Sequence, residues 1–409
     1  MSATSPIIAP ERAASTAPPR RGFPLDPILT LCVLGLAVCS LLTLSQATST
    51  LIPGDPGYYV KRQAIYFAVG LVAMLIVARI DYKQLRRARN GIYLLLIGSI
   101  LAVKVVGTET LGAQRAIQLG FFSFQGSEIG KVLLILALSA FIVDNARTLD
   151  RRETTAKVIL FALLPALLVI AQPDLGSGLV YLFIAAILLI VAGTPARRLA
   201  ALAGIVLACI AVVFVGAPAA GVHVLKPYQE KRLTAFLNPT YGERASGQKV
   251  SKSTEELEEA SYQLLQSEIA IGAGGKTGQA NPTQTRLNFL PEQGTDFVFA
   301  AVGENWGFVG CSIVIGLYML LLWRAMRIVL SAKDLFGTLV AAGVAAMLMF
   351  QAFVSMGMST GIMPVTGVPL PLISYGGSSV ISVLVAIGLL QSIYLRARAT
   401  APVPGRVLR

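Results

Sequence analysis

Ten apolar runs, each close to the length needed to cross a lipid bilayer, limit most strongly what this chain can fold into. They lie near residues 24–46, 64–80, 91–106, 127–145, 157–172, 177–194, 199–217, 297–322, 335–357 and 376–395. A bilayer core asks for roughly 17–25 apolar residues in helical form. Inside lipid the backbone must satisfy its own hydrogen bonds, so repeated runs of this length predict helices. The fifth and sixth runs are separated only by Pro173-Asp174-Leu175-Gly176 and read as a tight hairpin. The predicted fold class is an all-α polytopic membrane protein with about ten transmembrane helices.

Composition agrees. Apolar residues make up 55% of the chain and charged residues 13%, against about 25% charged in soluble proteins. The net charge of +13 raises the question of nucleic acid, and the placement of the basic residues argues against it. With a cytoplasmic N-terminus, 21 of the 34 Lys and Arg residues fall in inside segments, as the positive-inside rule expects. Most of the others lie in one outside segment, 218–296, which is too long for that rule to govern. Both termini are therefore expected in the cytoplasm, with one large extracytoplasmic loop between spans 7 and 8. Residues 1–22, rich in Pro, Ala and Ser, are expected to form a disordered tail. Residues 23–398 read as one transmembrane domain and 399–409 as a second cytoplasmic tail. The first run lacks a cleavage pattern and is expected to stay as an anchor. Cys32, Cys39, Cys209 and Cys311 sit inside apolar runs without metal or disulfide spacing, and His223 stands alone.

A few polar residues sit inside or beside these runs. Glu128 and Lys131 are one helical turn apart and can pair. They read either as an ion pair that orients a helix or as the polar floor of an outward-facing cavity. Arg62, Arg115 and Asp174 fall at the outer ends of spans or in outside loops. Such arginines either snorkel or converge to bind an anion such as pyrophosphate. Leu290-Pro-Glu292-Gln-Gly-Thr-Asp296-Phe carries a polar loop into an apolar helix with a carboxylate at the seam. Asp296, or Thr295 beside it, is either a helix N-cap or a base where water meets lipid. Ser374-Tyr375-Gly376-Gly377-Ser378 follows Pro364, Pro369 and Pro371 and is either a turn or a cavity wall. Residues 251–261 read as a charged surface excursion, and 262–275 as an amphipathic run along the membrane.

Seven segments in order and spacing resemble the SEDS family (shape, elongation, division and sporulation), of which RodA and FtsW are examples. They are Gly112-Ala-Gln-Arg115, Phe124-Gln-Gly-Ser-Glu128-Ile-Gly-Lys131, Gln172-Pro-Asp174-Leu-Gly176, and Lys226-Pro-Tyr-Gln229-Glu-Lys-Arg232 with Phe236-Leu-Asn-Pro239. The series continues through residues 266–275, the 290–297 segment and residues 363–379, so the resemblance spans about 24–398. The wording at 226–229 and 367–372 is more like the RodA branch. The chain departs from the family pattern at Ala116, Gly126, Gly294 and Asn305, where Trp, Pro, His and Glu are usual, and its insertion near 243–260 is longer.

The resemblance implies a peptidoglycan glycosyltransferase that polymerises lipid II outside the cytoplasmic membrane during cell elongation. It implies Asp296 as the general base and an inverting displacement of the lipid pyrophosphate. Arg62, Arg115, Lys131 and Arg232 are the expected anion partners, with Glu128 positioning Lys131. Asp174, Gln229, Glu292, Ser374, Tyr375, Gly376, Gly377 and Ser378 complete the expected substrate site. A divalent cation (Mg or Mn) is compatible with a pyrophosphate leaving group, although no dedicated metal motif is visible. The expected partners are a class B penicillin-binding transpeptidase and other elongation-complex membrane proteins. A lipid II flippase and a non-catalytic scaffold are the rival readings.

Overall fold

The computed structural model describes residues 25–399 apart from 53, 111, 112, 121, 150, 173, 212–251, 281 and 291. The expected N-terminal tail to residue 22, residues 400–409, Gln229 and Arg232 lie outside the described residues. In chain order the helices are α1 (Pro27–Ala47), α2 (Tyr58–Arg79), α3 (Tyr82–Arg87) and α4 (Arg89–Val106). A small β-meander follows, with β1 (Thr108–Thr110), β2 (Ala113–Leu119) and β3 (Phe122–Phe124). Then come α5 (Gly126–Asp144), α6 (Arg152–Ile170), α7 (Leu175–Val191), α8 (Ala196–Ala211), α9 (Lys252–Ala273) and α10 (Thr283–Arg286). The last are α11 (Val298–Ser331), α12 (Leu335–Ser359) and α13 (Gly377–Ala399).

Over the described residues each predicted apolar run coincides with a helix; residues 212–217 of the seventh run lie outside them. Among the described residues, eight helices are long and apolar enough to cross a membrane (α1, α2, α4, α5, α6, α11, α12 and α13), and α7 is apolar but shorter. The molecule is thus a mostly helical, multi-pass membrane protein. The meander, antiparallel in the order β1-β2-β3, stands where only an outside loop was expected, and it carries Arg115 on β2.

Burial separates centre from periphery. In α5, α12 and α13, 78% of the most apolar window is buried, against 28% in α2 and α4. The outer helices turn large apolar side chains outward, such as Val72 and Ile76 on α2 and Leu94 and Leu95 on α4. So much exposed apolar surface fits a lipid-facing belt. Small residues let α2 and α13 approach closely, as is common between membrane helices. A Cβ at Gly388 would fall 2.7 Å from the Met74 carbonyl oxygen, and one at Gly70 would collide with Leu384.

Polar links tie the helix ends together at both ends of the bundle. At one, Asp26 caps α1 by accepting from the Leu29 amide at 2.9 Å and pairs with Arg324 Nε at 2.6 Å. Arg396 meets Asp81 at 3.0 Å, and the Tyr82 hydroxyl donates to Asp334 at 2.7 Å. This basic end holds the clusters that the charge pattern assigns to the cytoplasm. At the other, motif end lie the meander, α9, α10 and the irregular segment 360–376.

Asp334 makes the basic end acid-sensitive. Burial works against its charge, but the Tyr82 hydroxyl, the Gly337 amide and Lys83 outweigh it and hold the carboxyl below its ordinary 3.8. A depressed folded value contributes stability that is present above the unfolded value and lost as pH falls through the folded one. The α3–α12 link is therefore expected to loosen below about pH 4. Melting temperatures of wild type and Asp334→Asn should converge as pH drops below that point; a constant gap would contradict the assignment.

Candidate active site

The motif end is organised around the turn that delivers Asp296. Glu292 adopts a left-handed backbone, with φ of 50°, and its carbonyl accepts from the amides of Thr295 at 3.0 Å and Phe297 at 3.2 Å. Its carboxylate accepts from the Thr295 hydroxyl at 2.6 Å. The cap position of α11 belongs to Phe297, without a side-chain cap hydrogen bond. Asp296 itself is half-buried.

Segment 370–376 clasps this turn. The Ser374 hydroxyl donates to the Thr295 carbonyl at 2.6 Å, and the Tyr375 amide donates to the Gly294 carbonyl at 2.7 Å. Ser374 Oγ in turn accepts from the Leu370 amide at 2.8 Å. Behind it, the buried Gln63 donates to the Ser374 carbonyl at 3.1 Å and to Ser40 Oγ at 3.2 Å. Ser40 donates to the Ile373 carbonyl at 2.8 Å. Non-helical backbone at membrane depth survives only when other groups satisfy it, and Gln63 and Ser40 do this here. Gln63→Leu leaves the Ser374 carbonyl without that donor. An expected cost of about 1–3 kcal/mol should appear as a lower melting temperature, together with slower turnover.

Arg62 and Tyr375 meet beside the clasp. The guanidinium lies over the Tyr58 ring at 4.6 Å and reaches the Tyr375 hydroxyl. Tyr59 packs edge-on against Tyr375 at 4.9 Å.

A second network joins this region to α5 and α7. Ser378, in the first turn of α13, donates to the Ser123 carbonyl at 2.6 Å and accepts from the Gln125 amide at 3.0 Å. Gln125 and Ser127 donate to Asp174 Oδ2 at 3.3 and 2.9 Å. Asp174 Oδ1 caps α7 by accepting from the Ser177 amide at 3.0 Å. Gly377 lies in close contact with Phe122 and Tyr66, whereas Gly376 accepts contact more loosely and offers its amide to Gln63 at 3.4 Å.

Glu128 and Lys131 form an ion pair at 2.5 Å with both side chains 1% exposed. In this arrangement the pair is closed off from solvent. The second carboxylate oxygen of Glu128 has no hydrogen-bond partner among the described residues.

The segment carrying Asp296 is braced from below. Helix α11 breaks at Gly307, whose φ of 62° and ψ of −155° are not helical. The turn 274–279 occupies the break: the amides of Phe308 and Val309 donate to the carbonyls of Gly275 and Lys276 at 2.9 and 3.1 Å. The Gln279 amide donates to the Glu304 carbonyl at 3.0 Å. A Cβ at 307 would lie 2.5 Å from the Gly278 nitrogen, so a glycine is needed for both conformation and space. The buried Glu304 carboxylate accepts from the amides of Gln284 and Thr285 at 2.7 and 2.9 Å, anchoring α10.

Two departures from the family pattern have a steric counterpart. A Cβ at Gly126 would lie 2.5 Å from the Ser99 carbonyl oxygen, and one at Gly294 would press on Thr48 at 3.2 Å. Nothing in the described contacts explains Ala116; Asn305 donates to the Ala301 carbonyl at 2.8 Å. Among the described residues no group of three His, Cys, Asp or Glu side chains assembles to hold a metal ion.

Helices long and apolar enough to cross a bilayer, with polar motifs gathered at one end around a half-buried aspartate, define a multi-pass membrane protein with a candidate site at that end. The chain belongs to the FtsW/RodA/SpoVE family, described as cell cycle proteins, whose profile matches residues 25–399. Peptidoglycan glycosyltransferase MrdB of Escherichia coli (strain K12) is 34% identical over 374 residues, covering 90% of this chain and 93% of MrdB. A probable peptidoglycan glycosyltransferase FtsW of Trichlorobacter lovleyi is 35% identical over 392 residues, covering 93% and 96%. A chain from a structure concerned with coordination of polymerization and crosslinking by a peptidoglycan synthase complex aligns with TM-score 0.72 and 30% identity. That alignment covers 92% of this chain and 99% of the other. The resemblance carried by the seven segments is borne out at the level of the family.

Proposed function

We propose that this chain is a peptidoglycan glycosyltransferase that polymerises lipid II during cell elongation, with Asp296 as its general base. The observation that carries the site assignment is the clasp: two hydrogen bonds from Ser374 and Tyr375 hold the backbone of residues 294 and 295. A half-buried carboxylate is thereby fixed at the motif end, where a base has to be positioned before its proton affinity matters. The glycosyltransferase names of relatives at 34–35% identity support the reaction class. The RodA-like wording at 226–229 and 367–372 favours elongation over division.

In the proposed reaction the Asp296 carboxylate takes the proton of the acceptor GlcNAc 4-hydroxyl. That oxygen attacks the anomeric carbon of the donor MurNAc as the bond to pyrophosphate breaks. The lipid pyrophosphate leaves with the bonding electron pair, and the anomeric centre inverts. Arg62, which lies over Tyr58 and beside Tyr375 at the edge of the clasp, is the proposed receiver of the departing charge. Arg115 and Arg232 are further candidate anion partners. Lys131, committed to Glu128 one turn into α5, serves as a fixed charge. Glu292 holds the turn, and Asp174 and Ser378 align α7 and α13 with it; Gln229 is proposed to line the same substrate site. A divalent cation, when bound, would neutralise pyrophosphate; with no three-ligand set among the described residues, no step is assigned to it.

The motif end faces outside the bacterial inner membrane in this proposal, and a class B penicillin-binding transpeptidase cross-links the product. The synthase complex that contains a similar chain supports such a partnership. Purified protein with its transpeptidase and labelled lipid II should yield glycan strands resolved by gel. Absence of polymer with the partner bound would move the function to lipid II transport or scaffolding.

A further inference from the structure

We propose that a cavity at the basic end binds the phosphodiester headgroup of an anionic phospholipid. The cavity has a volume of about 640 Å³, and Lys83, Arg86, Arg87 and Arg89 line it together with Asp144 and Asp334. Four cations thus face two carboxylates. Asp144 spends both oxygens on arginines, one on Arg86 at 2.8 Å and the other on Arg89 at 2.6 Å. Asp334 is shared between Lys83 at 3.4 Å and the Tyr82 hydroxyl at 2.7 Å.

The excess positive charge is oriented as well as present. Asp144 fixes two guanidinium forks side by side, and Arg86 Nη1 and Arg89 Nη2 have no protein acceptor among the described residues. Arg87 is exposed and makes no ion pair there. Guanidinium forks match phosphate oxygens. Location selects the lipid. The walls come from α3, the first residues of α4 and α12 and the last of α5, the level at which membrane spans leave the hydrocarbon. Leu335 and Phe336 add apolar lining, and Leu94 and Leu95 project from the next turn of α4 into the lipid-facing belt. A headgroup in the cavity keeps its acyl chains along that belt. Basic pockets between helices on this side of a membrane protein recognise anionic headgroups, each surface cation contributing about fivefold in affinity.

The test uses the full chain in nanodiscs of phosphatidylglycerol or phosphatidylcholine, comparing wild type with Lys83→Gln/Arg87→Gln. Neither residue belongs to the motif end, and Asp144 keeps both of its arginines in this variant. Wild type should melt higher in phosphatidylglycerol and retain that lipid through native mass spectrometry, and the variant should bind it roughly 25-fold more weakly. Equal melting of the two proteins in phosphatidylcholine is the folding control; should the double variant fail it, Arg87→Gln alone is expected to lose about fivefold. Inorganic phosphate titrated into the phosphatidylcholine discs separates the sources. Stabilisation by phosphate that the variant also loses, without preferential retention of phosphatidylglycerol, assigns the site to a soluble anion and overturns the lipid. Equal retention of both lipids by wild type, or undiminished phosphatidylglycerol binding by the variant, overturns the site altogether.

Discussion

Asp296→Asn is expected to abolish glycan-strand formation while leaving the fold intact. The substitution keeps the size of the side chain and removes its ability to accept a proton. The clasp around it is made by main-chain carbonyls of Gly294 and Thr295, which the change does not alter. General-base catalysis contributes about 10²–10⁴ in rate, so polymer should fall by at least two orders of magnitude in the lipid II assay. The melting temperature should stay within a few degrees of wild type. Equal rates for the two proteins would remove Asp296 from the role of base. A collapsed melting temperature would instead make it a folding residue, and a scaffold would show no difference because wild type would make no polymer.

The largest expected effect on stability comes from Lys131→Met. Lys131 and Glu128 are both 1% exposed and meet at 2.5 Å, and one oxygen of Glu128 already lacks a partner among the described residues. Removing the ammonium leaves a buried carboxylate without its counter-charge, which costs about 3–5 kcal/mol. Thermal melting in detergent should show this directly. The double change Glu128→Leu/Lys131→Met removes both charges and is expected to recover much of the loss, because a buried pair stabilises little relative to apolar residues of similar size. If the double variant is as unstable as the single one, the pair is holding structure through contacts other than its charge.

How far the sequence foretold these features depends on the signal each one leaves. The spans were legible because a bilayer imposes one length on every crossing segment. Their ends were less so. Helix α2 begins at Tyr58, well before the apolar run at 64, because its opening turns carry polar residues: Arg62 stacks on Tyr58 and Gln63 turns inward to the clasp. Helix α11 extends to Ser331 past the run's end at 322, because Arg324 is accommodated by Asp26 from α1. Gln63 has no sequence signal of its own beside the more conspicuous charge of Arg62; only its three-dimensional partners reveal it. The meander escaped because strands of three to seven residues leave almost no periodicity to detect. Asp296 was visible as an acidic seam, but its clasp was not, since Ser374 lies 79 positions from Thr295 in the chain.

The break at Gly307 has a mechanical consequence. Below it, residues 308–331 would span roughly 36 Å as a continuous helix, comparable with the thickness of a bilayer. Above it, the piece that leads to Asp296 is fastened to the turn 274–279 and to α10. Bilayers of different thickness are accommodated by tilting of the spanning part, at a modest cost per ångström. Such tilting is expected to be absorbed at the break, so that the polar collar, and not hydrophobic matching, would set the position of Asp296.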